Sequence, residues 1–155
     1  MFVRVLAIGI IALFAASCDK DDEGTPNPSP IAYETVNASP YLQVDDPHTQ
    51  VFRSWNRWSE FWGEHPECDN GCVVPAPYVN FDSSMVVAIF WGLEGFGCVD
   101  YTDRLDMVSR KDEDTFIALR EQPFQEVCDR MTYAYLFLKI DRADGGVMFT
   151  GVVPQ

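Results

Sequence analysis

The chain has 155 residues, 47% of them hydrophobic, 14% aromatic and 23% charged, and it carries a formal net charge of −13. That length suits one domain of ordinary size, and the aromatic content excludes global disorder. Twenty-four acids against eleven bases would repel phosphate, which excludes nucleic acid as a partner on charge.

Residues 1–17 read as a lipoprotein signal peptide. Arg4 supplies the positive start, residues 5–14 form an apolar run of ten, and Ala15-Ala16-Ser17 place small side chains before Cys18. A run this short cannot span about 30 Å of hydrocarbon as a helix. The small residues before a cysteine resemble a bacterial lipobox, although Ala15 stands where Leu is usual. The resemblance implies lipidation of Cys18, which then becomes the new N-terminus. An ordinary secretory signal with an incidental cysteine is the blander alternative. Residues 18–40 read as a tether, with the charged run Asp19-Lys20-Asp21-Asp22-Glu23 and then Pro26, Pro28 and Pro30 among small polar residues. Such sequence stays extended and solvated, at about 3 Å per residue. Lys20-Asp21-Asp22-Glu23 is similar to the acidic export signal of surface-exposed lipoproteins in some Gram-negative envelopes; a plain linker is the alternative. The expected location is the outer membrane, periplasmic or cell-surface exposed, with the lipid as the only membrane contact.

Residues 41–155 read as one α+β domain. Ser54 is a good N-cap for a helix over 55–63. At 100° per residue Trp55, Trp58, Phe61 and Trp62 share one arc, opposite Asn56, Arg57, Ser59 and Glu60. Packing on a sheet is the commoner fate of such a face; a binding platform of three tryptophans is the sharper one. Beyond Pro75 the period becomes two. Residues 84–90 are apolar on both phases, which suits a buried central strand. Residues 98–107 alternate, with Val99, Tyr101, Leu105 and Met107 on one face and Asp103 as the exception. Residues 110–114 form a turn, 115–120 a strand, and 132–140 a second strand apolar on both phases. A turn at 141–146 leads into a last strand over 147–152. The expected architecture is a small, mainly antiparallel β domain of about five strands with one N-terminal amphipathic helix.

After Cys18 four cysteines remain, Cys68, Cys72, Cys98 and Cys128. An even number in an exported chain reads as two disulfides, with three connectivities open. The favoured set is Cys68–Cys72, around Asp69-Asn70-Gly71, and Cys98–Cys128. The latter would clip two strands and contribute about 3.5 kcal/mol in the chain-entropy model. His65, Cys68 and Cys72 together raise a zinc alternative, but no second cluster completes a tetrahedral site. No metal or cofactor is expected.

The order of these features resembles the C-terminal domain family of PrcB, a lipoprotein partner of a surface protease complex. The matching stretch is 54–151. It opens on Ser54, Trp58, Phe61 and Trp62, continues through Val79-Asn80-Phe81-Asp82-Ser83 into Met85-Val86-Val87-Ala88, and then reaches the glycine-rich turn 92–97. The family tends to carry Thr-x-Pro-Tyr before its late apolar strand; Thr132-Tyr133-Ala134-Tyr135 lacks that proline. The resemblance supplies no catalytic residues and implies a binding or stabilising module.

No catalytic motif stands out in the chain. Only His48 and His65 offer imidazole, both in loop-like sequence beside proline, and a Cys–His pair would need a thiol kept reduced outside the cell. Asp141 and Asp144 hint at a calcium loop but lack the alternating oxygen ligands. The candidate site is the turn Gly92-Leu93-Glu94-Gly95-Phe96-Gly97. Its glycines allow close backbone approach, and Trp91, Glu94 and Phe96 could contact a partner; a hairpin turn needing positive φ is the alternative. In loop chemistry alone it is similar to chagasin-like cysteine-protease inhibitors. The expected function is a non-catalytic accessory or binding module for a protein partner in the envelope, a protease complex being the one implied. The alternative is a protease inhibitor or small-ligand binder acting through Gly92–Gly97.

Overall fold

A computed structural model describes residues 27–37, 42–64, 75–94, 101–121 and 132–154. They contain β1 (Ser29–Pro30), β2 (Tyr33–Thr35), β3 (His48–Phe52), α1 (Trp55–Glu64), β4 (Ser84–Glu94), a 3-10 turn (Tyr101–Arg104), β5 (Leu105–Lys111), β6 (Asp114–Leu119), β7 (Thr132–Asp141) and β8 (Val147–Gly151). The α+β, mainly β character agrees with expectation. The strand number does not: eight strands lie among the described residues where about five were expected.

The strands form two sheets of four, ordered β1-β5-β6-β8 and β2-β7-β4-β3. Every ladder is antiparallel except β6 with β8. The sheets face one another, and α1 covers the far side of the second sheet. Because side chains alternate across a strand, β4 and β7 build both cores at once. Met85, Val87 and Ile89 of β4 join Leu136, Leu138 and Ile140 of β7 against Leu105, Val108, Ile117 and Leu119 of the first sheet. Val86, Ala88 and Phe90, with Phe137, meet Phe52 and the helix residues Trp58, Phe61 and Trp62. This is why both strands are apolar on both phases. Each large side chain so buried contributes about 1.5–3 kcal/mol of transfer free energy.

The three additional strands lie where the sequence is least patterned. β1 and β2 fall within the stretch expected to be tether. Pro30 pairs with Ser109, and Glu34 pairs with Lys139, whose ammonium reaches its carboxylate at 2.9 Å. Both are edge strands, where proline and charge are tolerated. β3 edges the second sheet, so His48 is a strand residue rather than a loop residue. Its Nδ1 lies 2.7 Å from the Asp46 carbonyl and its ring 4.6 Å from that of Phe90.

Two bulges account for further differences. Pairing of β5 with β6 shifts between Leu105 and Met107, so Leu105 is buried while Met107 points outward, not onto the same face as expected. β5 then continues to Lys111 through part of the expected turn, and a two-residue reversal begins at Asp112 with φ 54°, a conformation aspartate tolerates. Pairing of β4 with β7 shifts between Phe90 and Gly92. Gly92 has φ 80°, and a Cβ there would lie 2.7 Å from the Asp45 carbonyl oxygen. Gly92 therefore bends a strand that continues to Glu94; it does not open a turn.

Candidate functional site

The helix face separates its tryptophans. Trp58 and Trp62 are buried, whereas Trp55 is 44% exposed. Trp55 is the first helical residue, after Ser54, whose carbonyl accepts from the Trp58 N–H at 3.2 Å. It stays outside the aromatic core that Trp58 and Trp62 join. The platform of three tryptophans is thus two core residues and one surface residue.

Trp55 has an aromatic neighbour that the sequence did not single out. Tyr78 is 85% exposed, with its ring centroid 6.4 Å from that of Trp55 and the planes inclined at 43°. The chain holds Tyr78 out by burying what flanks it. The Trp58 indole N–H donates to the Pro77 carbonyl at 2.8 Å, and Val79 and Phe81 are buried against α1 and β4. Two prolines, Pro75 and Pro77, stiffen the approach. Asn80 closes the segment: its side-chain oxygen accepts from the Asp82 N–H, and its carbonyl accepts from Ser84.

A groove of about 340 Å³ runs beside this pair, lined also by Arg53, Asp82 and Arg142. Both guanidiniums are fixed by backbone. Arg53 donates to the carbonyls of Ala143 and Gly145 at 3.2 and 2.6 Å, and Arg142 donates to that of Phe81 at 2.8 Å. Arg142 also lies 3.6 Å from Asp144. Rigid aromatics with held cations can stack an apolar or planar group and orient an anionic one at little cost in side-chain entropy. Tyrosine between a proline and a buried alternating pair was the available signal for the site; on its own it looks like any loop tyrosine.

Of the expected partner-binding residues, only the side chain of Trp91 falls among those described. It is half-buried, stacked on Tyr101 at 6.0 Å, with the buried Arg104 guanidinium 4.7 Å above its ring. That environment ties β4 to the 3-10 turn. Leu93 beside it is 49% exposed. The Glu94 side chain and Phe96 lie outside the described residues, as do Cys18, Cys68, Cys72, Cys98, Cys128 and His65. Among the described residues no group of three or more His, Cys, Asp or Glu side chains could hold a metal ion, and no helix is long and apolar enough to cross a membrane. Comparison with protein-family models, with curated proteins and with solved structures gave no match.

Proposed function

We propose that this chain is an outer-membrane-anchored, non-catalytic binding module, held through lipidated Cys18, that stabilises a protein partner in the envelope. The observation that carries the binding reading is the Trp55–Tyr78 pair, two exposed rings at 6.4 Å beside Arg53 and Arg142. Paired surface aromatics next to arginine are the composition of interface hot spots. The anchor rests on the N-terminal sequence, and a surface protease complex is the partner that the resemblance to the PrcB C-terminal family implies. The test is crosslinking of the full lipidated chain in its native envelope, with capture measured by quantitative mass spectrometry. The double variant Trp55→Ala/Tyr78→Ala is expected to lose at least about tenfold of the specific capture, since two hot-spot truncations suffice for that. Undiminished capture by a folded double variant would overturn the reading.

A second reading, inhibition of a protease through Gly92–Gly97, draws on the backbone bend at Gly92 and the exposure of Leu93. It requires that the soluble domain slow the enzyme and that Leu93→Ala and Glu94→Ala relieve the effect.

A further inference from the structure

The four sheet edges are not equally protected. β1 is two residues long and contains Pro30, and β2 is three residues long with Glu34 on it. β3, like β8, has five residues without proline or formal charge and pairs without a bulge, but it leads within two residues into α1. β8 has five residues, Val147-Met148-Phe149-Thr150-Gly151, without proline or charge, and its ladder with β6 runs without a bulge. It ends the first sheet, and among the described residues nothing pairs with its outer side. Proteins usually blunt such an edge with charge, proline or a bulge, because its unpaired backbone groups are a template for another strand.

The parallel register identifies which groups are free. Thr115 donates to the Gly146 carbonyl at 2.9 Å, and Val152 donates to the Leu119 carbonyl at 3.3 Å. With Thr115 opposite Val147 and Ile117 opposite Phe149, the alternation of a parallel ladder turns Met148 and Thr150 toward β6. The N–H and C=O of Val147 and Phe149 therefore face outward. The outer face beside them is mostly apolar: Met148 and Met107 are exposed, with half-buried Phe116 and Ala118 between them. The two ends differ in charge. Asp114, Glu113 and Asp144 lie at the Val147 end, where Asp114 accepts from the Gly146 N–H at 2.7 Å, while at the Gly151 end Arg120 turns to the β5 side and donates its Nε to the Asp103 carbonyl at 2.7 Å.

We infer that β8 accepts an extended segment of a partner protein as a fifth, antiparallel strand of the first sheet. The segment is uncharged over about five residues, the length of β8, and carries β-branched apolar side chains on the Met148 side. It carries Lys or Arg at its C-terminal flank, against Asp114 and Glu113. A second copy of this chain fits less well, since pairing would bring together two bodies each carrying a net charge of −13. The edge and the Trp55–Tyr78 groove share the turn before β8, where Arg53 donates to the Gly145 carbonyl, but exchange at Val147 and Phe149 reports on the edge alone.

The probe is the blocked peptide Asp-Thr-Val-Thr-Val-Thr-Lys, added to the full chain in detergent and followed by amide hydrogen exchange. Strand addition slows exchange at Val147 and Phe149, whose amides face outward, and leaves the β3 edge unchanged. N-methylation of the central Thr, which removes the donor to the Phe149 carbonyl, should weaken binding at least about tenfold. Exchanging the terminal Asp and Lys should weaken it about fivefold. On the protein side, Met148→Lys adds an edge charge at an exposed position without disturbing the core and should abolish binding. No slowing at Val147 and Phe149, or equal binding of the N-methylated peptide, overturns the inference. Protection of both amides without peptide, in a dimer that Met148→Lys dissociates, overturns the choice of partner in favour of a second copy.

Discussion

The two faces of the second sheet are filled by different chemistry. Toward the first sheet the side chains are aliphatic, among them Met85, Val87, Ile89, Leu136, Leu138 and Ile140. Toward the helix they are largely aromatic, with Phe52, Trp58, Phe61, Trp62, Phe90 and Phe137 in mutual contact at centroid distances of 4.9 to 6.1 Å. The difference follows from what each layer has to cover. Two sheets meet with interdigitating rows from both sides, about 10 Å apart, and medium-sized aliphatic residues fill that space. One helix of ten residues offers only Trp58, Phe61 and Trp62 as buried residues, so each must cover more sheet. The helix layer thus depends on a few large side chains and the inter-sheet layer on many medium ones.

The largest effect expected from this contrast is at Trp58. Trp58→Ala should cost about 3–5 kcal/mol, since it removes ring contacts to Phe52, Phe61, Trp62 and Phe137 together with the donor to Pro77. Urea titration followed by far-ultraviolet circular dichroism measures it; a cost below about 1 kcal/mol would mean that the aromatic layer is redundant. Gly92→Ala comes next, at about 1–3 kcal/mol, because a side chain there meets both φ 80° and the Asp45 carbonyl. An unchanged thermal midpoint would show that the strand does not need its bend. In the aliphatic layer Ile89→Val should cost only about 0.5–1.5 kcal/mol, the cost of one methylene among many neighbours. Calorimetry of this variant beside Trp58→Ala compares the layers directly, and equal losses would erase the distinction. The smallest effect belongs to Lys139→Ala. Its ion pair with Glu34 is mostly exposed, so under about 1 kcal/mol is expected, shrinking further in salt. A larger loss would give β2 an anchoring role that the ladder alone does not suggest.

The parts of this architecture legible in the sequence are those where one side chain type had to serve two layers. β4 and β7 announce themselves by being apolar on both phases, and α1 by Ser54 and the spacing of Trp58, Phe61 and Trp62. β1, β2 and β3 carry no comparable signal. Their residues join the sheets because a neighbour offers an open edge, and that information resides in the neighbour. The Leu105–Met107 bulge was equally hidden: one extra residue moves Met107 to the opposite face while the local alternation reads as unbroken. At the groove, Trp55 shares its helical arc with Trp58 and Trp62, yet it stays outside the core they build. Tyr78 becomes notable only once Pro77 and Val79 are seen to be held from behind.

The stretch from Ser29 to Thr35 begins on the edge of one sheet and ends on the edge of the other, with the Ile31 N–H donating to the Val108 carbonyl at 3.0 Å on the way. A load entering from the N-terminal side is therefore borne first by a strap lying across the rims of both sheets. Seven residues peeled from those rims free on the order of 24 Å of chain contour, less the distance they already span, while the aromatic and aliphatic layers remain closed. Single-molecule pulling from that side should register this give before the main rupture, and a single all-or-none event would show that rim and interior yield together. A domain loaded from that side would have its shock absorber in its own rim.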